Sequence, residues 1–272
     1  MDDSLKIRIG KILNQAERAT TDAERDLFYA RAFELSAKHS IELAQARAAV
    51  SKLEQREQPV MKTIEIGTRG QHNLAVFCNL FMGIGEPHGI KFNISHRSTY
   101  VVAFGMPSDI ELTETLYESI LPQMMQSANE FIREGSWKNE TTLRNGKDGW
   151  GYYPIDSRVV KRNFYETFTR TIKTRRWDAK FKAEQGAVDA DVAAAGDETP
   201  EAGKSNTELV LASKTVEVRD FYNEKSTARG TWKGGQSNTY RSNAGQSGGR
   251  KAGQRASLSG TRSLPGGRKQ IG

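Results

Sequence analysis

The chain has 272 residues, of which 36% are hydrophobic, with 40 basic against 33 acidic side chains, a net charge of +7 and one cysteine, Cys78. A lone cysteine excludes an internal disulfide and points to a reducing compartment. No run approaches the ~20 apolar residues that cross a bilayer, and the acidic start MDDSLKIRIG lacks the apolar segment of a signal peptide, so a cytoplasmic protein with no membrane partner is expected.

Residues 1–57 are predicted to form a helical N-terminal domain. Leu5, Ile9, Ile12, Leu13 and Ala16 recur on one helical face. Thr21 and Glu24 have the spacing of a capping box. Leu27, Phe28, Ala32, Phe33 and Leu35 are expected on the buried side of the next helix. A third helix is read as restarting at Ser40, a good N-cap, with Ile41, Leu43, Ala46 and Val50 as a weak apolar face. On that reading His39 closes the preceding helix, where a histidine suits the dipole.

Residues 60–183 read as a small α+β domain. VMKTIEIG alternates and is β-branched, as a strand should be. NLAVFCNLFMGIG predicts a short apolar helix ended by Gly83 and Gly85, with Cys78 in the core. Two strands follow, Ile90–Ser95 and Thr99–Phe104, joined by a turn at His96–Ser98. A long helix then begins at Ser108–Asp109, with Leu112, Leu116, Ile120, Leu121, Met124 and Phe131 as its stripe and a kink expected at Pro122. The order is β-α-β-β-α. Residues 136–157 read as a polar loop studded with aromatics, and 158–183 as a basic helix whose apolar side is Val159, Phe164, Phe168, Ile172 and Trp177. Residues 184–206 read as a flexible acidic linker. In the C-terminal part, 207–272, TELVLASKTVEVRDFYNEKS reads as a strand running into a helix, followed by a basic Gly/Arg-rich segment.

That last segment contains NAGQSGGRKAGQRASLSG, Asn243–Gly260. Ala244, Gly248, Ala252, Ala256 and Gly260 recur every four residues, with Gly245, Gly249, Gly253 and Ser257 in a second row beside them. In a helix the two rows make one smooth stripe that lets another backbone approach closely. Each interior glycine costs such a helix about 1 kcal/mol against alanine, so it must dock to exist. The rival is an irregular Gly/Arg-rich segment that binds phosphates; the regular spacing favours the docked helix.

The N-terminal segment resembles a known family. Lys6, Ile7, Ile12, Leu13, Ala16, Glu17, Ala37, Lys38, His39 and Ile41 match the pattern of domain-of-unknown-function family 2786, with Gly10 where that pattern has a basic residue. Gly105, Asp109, Ile110 and Glu111, and the RNFYETFTRTIKTR helix, resemble the domain that commonly follows it in phage and bacterial proteins. The resemblance implies a phage or bacterial accessory protein. It brings no activity, cofactor or site residues.

Charge and motif spacing narrow the chemistry. Residues 136–186 hold 12 basic and 6 acidic side chains, and residues 229–272 hold 9 basic and none acidic. The candidate nucleic-acid contacts are Lys161, Arg162, Arg170, Lys173, Arg175, Arg176 and Lys180 in the basic helix and Arg250, Lys251 and Arg255 near the end. Trp137, Trp150, Tyr152 and Tyr153 nearby could stack on bases; the alternative is a solvated helix face with these aromatics in a local core. His39, His72, His88 and His96 lack metal-ligand spacing with one another or with Cys78. EAGKS, Glu201–Ser205, lacks the first glycine of a phosphate loop, and GIGEPHG, Gly83–Gly89, follows a helix rather than a strand. Asp109, Glu111 and Glu114 are explained by helix-start electrostatics. No metal or cofactor is expected. The expectation is a non-enzymatic protein whose basic segments contact nucleic acid or a nucleic-acid-bound protein. An adaptor for another protein, and an enzyme using Asp109 or Glu111 with a histidine, are the alternatives.

Overall fold

A computed structural model describes residues 12, 15, 22–49, 57–147, 149–195, 205–234 and 240–256. The predicted first helix, apart from Ile12 and Gln15, the Thr21 cap and the terminal residues from 257 onward lie outside this set. The protein is α+β, with two small antiparallel sheets among long helices.

Helix α1, Asp22–Ala49, is uninterrupted. The expected restart at Ser40 is therefore corrected, and His39 lies inside the helix rather than capping its end. The reason is that one buried face, Ala37, Ser40, Ile41 and Ala44, continues straight through, in an alanine-rich segment without glycine or proline. Leu27, expected on the buried side, is exposed, while Phe28 and Leu35 pack on the core.

The β-α-β-β-α order is present. Strand β1, Val60–Glu65, and helix α2, Leu74–Gly85, lead through a 3-10 turn, Glu86–His88, to β2, Lys91–Ile94, and β3, Tyr100–Gly105. The sheet order is β1-β3-β2, and both pairings are antiparallel. Alternation along β3 explains its two faces. Val101 and Ala103 point into the main core with α2, whereas Phe104 on the reverse face meets the rings of Phe221 and Tyr222 at 6.4 and 5.0 Å. Helix α3, Pro107–Glu134, then crosses the core, which it shares through Tyr117, 5.2 Å from the Phe81 ring.

Residues 141–154 correct the expected loop. They form a hairpin, β4 Thr141–Gly146 and β5 Gly149–Pro154, in which Leu143 faces Tyr152 and Asn145 faces Trp150. Its tight connection is relieved by Gly149, at φ +94°.

Helix α4 runs from Ser157 to Ala195, so residues 184–195 of the expected linker are helical. Helix α5, Asn206–Lys225, replaces the expected strand-then-helix. Its β-branched residues favour a strand locally, but Ser205 and Glu208 form a capping box that starts a helix. Thr207, Lys214 and Val218 then lie on its buried side at helical spacing.

Helix α6, Asn243–Arg255, is the glycine-rich stretch, and it docks. It lies parallel to α4: Gly245 sits over the Val160 carbonyl and Asn163, Gly249 over the Phe164 backbone, and Gly253 over Phe168 and Thr171. A Cβ at Gly245 would stand 2.5 Å from the Val160 oxygen. The second small row faces α3, where a Cβ at Gly248 would be 2.7 Å from the Phe131 ring. Both ends are clamped. The Glu140 carboxylate accepts from Ser242 Oγ and the Asn243 amide, each at 2.5 Å, and the Arg175 guanidinium donates to the carbonyls of Gly253, Gln254 and Ala256 at 2.8, 2.9 and 3.3 Å. These are the charges that suit the two ends of a helix dipole.

Candidate functional site

Two features stand out: a buried polar cluster and an exposed aromatic hairpin face. The cluster joins four helices and the 3-10 turn. Ser40 of α1 donates to Asp109 Oδ1 at 2.7 Å and accepts from Lys214 Nζ of α5 at 3.0 Å. Lys214 also pairs with Asp109 Oδ2 at 2.6 Å. His88 of the 3-10 turn places Nδ1 3.8 Å from Asp109 Oδ1, and its Nε2 meets Arg176 Nη2 of α4. All five side chains are buried. Because Arg176 is a donor only, His88 Nε2 must accept, so its proton sits on Nδ1, toward Asp109. Burial, then the positive charges of Arg176, Lys214 and Lys180, hold the His88 pKa well below its ordinary 6.5. Burial likewise pulls the Arg176 guanidinium down to about 9.

These positions revise two expectations. Asp109 is not simply a helix-start charge, because its carboxylate is buried and held by Ser40 and Lys214. Arg176, expected to meet nucleic acid, is 1% exposed and faces the interior. The signal for Arg176 and Lys214 was a cation falling on an otherwise buried helical row. Ser40 and His88 carried no comparable signal. Of the groups named for the enzyme alternative, Asp109 does meet a histidine, His88, whereas His96 is exposed in the β2–β3 turn.

The remaining predicted cations divide by what they touch. Arg175 clamps α6. Lys161 donates to Asn129 Oδ1 at 2.6 Å, Arg162 pairs with Glu166 at 2.9 Å, and Lys173 pairs with Glu86 at 2.5 Å. Lys180 pairs with Glu184 at 3.5 Å and lies over the Trp177 ring at 4.9 Å. Arg170, Arg250, Lys251 and Arg255 are exposed. Trp177, expected on the buried side of α4, is 41% exposed.

The aromatics separate as sharply. Trp137 donates its indole N–H to the Ile132 carbonyl at 3.1 Å and is half-buried. Tyr153 donates to the Gly149 carbonyl and lies under Arg144, 5.2 Å from its ring centre. Trp150 and Tyr152 are each 76% exposed, on the same face of the hairpin as exposed Leu143. Exposed Lys138, Lys147, Arg158 and Arg241 belong to the hairpin and the segments flanking its base.

Cys78 donates to the Ser98 carbonyl at 3.3 Å, and burial pushes its thiol up to about 12. Among the described residues, no group of three or more His, Cys, Asp or Glu side chains could hold a metal ion. No described helix is long and apolar enough to cross a membrane.

Residues 4–43 match the family model described as "Protein of unknown function (DUF2786)". The match covers the described part of α1 as far as Leu43, including Ser40. Neither the curated proteins nor the solved structures contain a match to the chain.

Proposed function

We propose that the protein is a binding module for single-stranded nucleic acid, with the β4–β5 hairpin as its stacking surface and neighbouring cations as phosphate contacts. This fits the accessory role implied by the family resemblance. The observation that carries the reading is the pair Trp150 and Tyr152, on one face of a two-stranded hairpin and each 76% exposed. A free-standing hairpin is marginally stable in water. Holding two large rings outward on one is a cost, and stacked bases would recover it. Aromatic faces stack on any base, while flanking lysines and arginines follow the backbone and make affinity depend on salt. Arg250 and Lys251 on α6 and Arg170 on α4 extend the exposed positive charge along the two parallel helices. Arg176 is no part of this surface, and Arg175 serves it only by holding α6 in place.

Fluorescence anisotropy with labelled mixed-sequence DNA and RNA single strands, at low and high salt, tests the reading. Binding should weaken steeply with salt. Trp150→Ala and Tyr152→Ala should each cost about tenfold in affinity, within the ~1–3 kcal/mol of one stacked base, with unchanged thermal stability. Binding that ignores both substitutions, or shows no salt dependence, would sink the proposal. A protein partner that copurifies stoichiometrically after nuclease treatment and is lost on Trp150→Ala would assign the same face to an adaptor.

A further inference from the structure

The buried cluster borders a cavity of about 50 Å³. About 10–15 Å³ of such space admits one water, so this one has room for roughly four water-sized spheres, close to the oxygen shell of a tetrahedral ion. Its wall includes Ser40, His88, Arg176, Lys180, Glu184 and Lys214. Three of these are cations and one is a carboxylate. Asp109, the second nearby carboxylate, stands behind Ser40 and is already paired with Lys214. The ammonium of Lys214 has three hydrogens, and Ser40 and Asp109 take two, leaving a third for a ligand. Lys180 and Glu184 are about a third exposed, so their pair stands at the mouth. The low proton affinity of His88, lowered in part by all three cations, reports the positive potential inside.

We propose that this cavity binds a small tetrahedral oxyanion, inorganic phosphate or the terminal phosphate of a small phosphomonoester, between Arg176, Lys180 and Lys214. An anion there would face a guanidinium and two ammonium groups, the partners its own charge needs once it leaves water. The site is separate from the hairpin. Arg176 is nineteen residues beyond Ser157 on α4, which at 1.5 Å per residue is about 28 Å along the helix. Ser40 belongs to the segment that matches the family model, so the ligand would also strengthen the attachment of α1.

The test is calorimetric titration and thermal unfolding of the full chain with inorganic phosphate and with glycerol phosphate, using chloride at matched ionic strength as the control. The expected result is saturable binding in the millimolar range or tighter and a rise in melting temperature that chloride does not reproduce. Lys180→Ala should weaken binding about tenfold, and Glu184→Gln should tighten it; both lie at the mouth, where the fold tolerates change. Phosphate binding without glycerol phosphate binding assigns the free ion, and the converse assigns the monoester. If neither probe exceeds chloride, or if both variants bind with wild-type affinity, the proposal is overturned. Neither result depends on whether the hairpin binds nucleic acid.

Discussion

His88 is kept neutral by its surroundings: it is buried, and Arg176, Lys214 and Lys180 add positive charge around it. Its folded pKa is therefore below the ordinary 6.5. At a pH under 6.5 the unfolded chain takes up a proton that the folded chain does not, so stability rises with pH and is lost as pH falls through that value. The slope approaches about 1.4 kcal/mol per pH unit for one group. Urea unfolding between neutral pH and about pH 5 should show this loss, and His88→Gln, whose carbonyl can still accept from Arg176, should flatten it. Equal slopes in both proteins would remove His88 from the explanation. Part of this site was legible. From Ile172 to Arg176 a helix turns about 400°, leaving the arginine only about 40° off the buried row, while Trp177 falls about 140° away. Angular position decided burial there, against side-chain polarity. Lys214 obeys the same rule beside Val218. Ser40 and His88 were not legible, because their partners are brought together by tertiary packing alone.

The elements show where local pattern suffices and where it does not. β1, β2, β3 and α3 follow directly from alternation and from a helical stripe. The hairpin was hidden because its three glycines, Gly146, Gly149 and Gly151, dilute the alternation that Leu143, Trp150 and Tyr152 carry. α5 was misread because valine and threonine outweighed a capping box whose serine also ends an acidic run. α6 was legible from its spacing, and the glycines give it a sharp test. A methyl at Gly249 would overlap the Phe164 carbonyl, a backbone group that cannot turn aside. Gly249→Ala should therefore cost about 3 kcal/mol, at the upper end for overpacking. Gly186 in α4 has open space around its Cβ direction, so Gly186→Ala should stabilise by about 0.5–1 kcal/mol. Denaturant midpoints of the two variants should move in opposite directions. Hydrogen exchange of the α6 amides should quicken only in the first.

At the scale of the whole molecule, α1 is joined to the other helices rather than standing apart. Ala37, Ile41 and Ala44 are buried, Gln45 donates to Thr207 of α5 at 2.8 Å, and Lys182 of α4 pairs with Glu34. Ile41→Ala should cost about 2–4 kcal/mol. The loss should be read equally by far-ultraviolet circular dichroism and by tryptophan emission, since all four tryptophans lie outside α1. A variant in which only the dichroism transition shifts would show that α1 unfolds independently.

The glycine row carries an ambiguity of its own. A motif that repeats every four residues looks nearly the same after sliding one turn, about 6 Å along its neighbour, because Gly249 would then occupy the seat of Gly245 and Gly253 that of Gly249. Backbone fit alone thus offers two almost equivalent alignments. What selects one is the Phe131 ring, which leaves no room for the Cβ that Ala252 would bring to the seat of Gly248, together with two unrepeated ionic clasps, Glu140 at the start and Arg175 at the finish. They act as end stops on an otherwise smooth track.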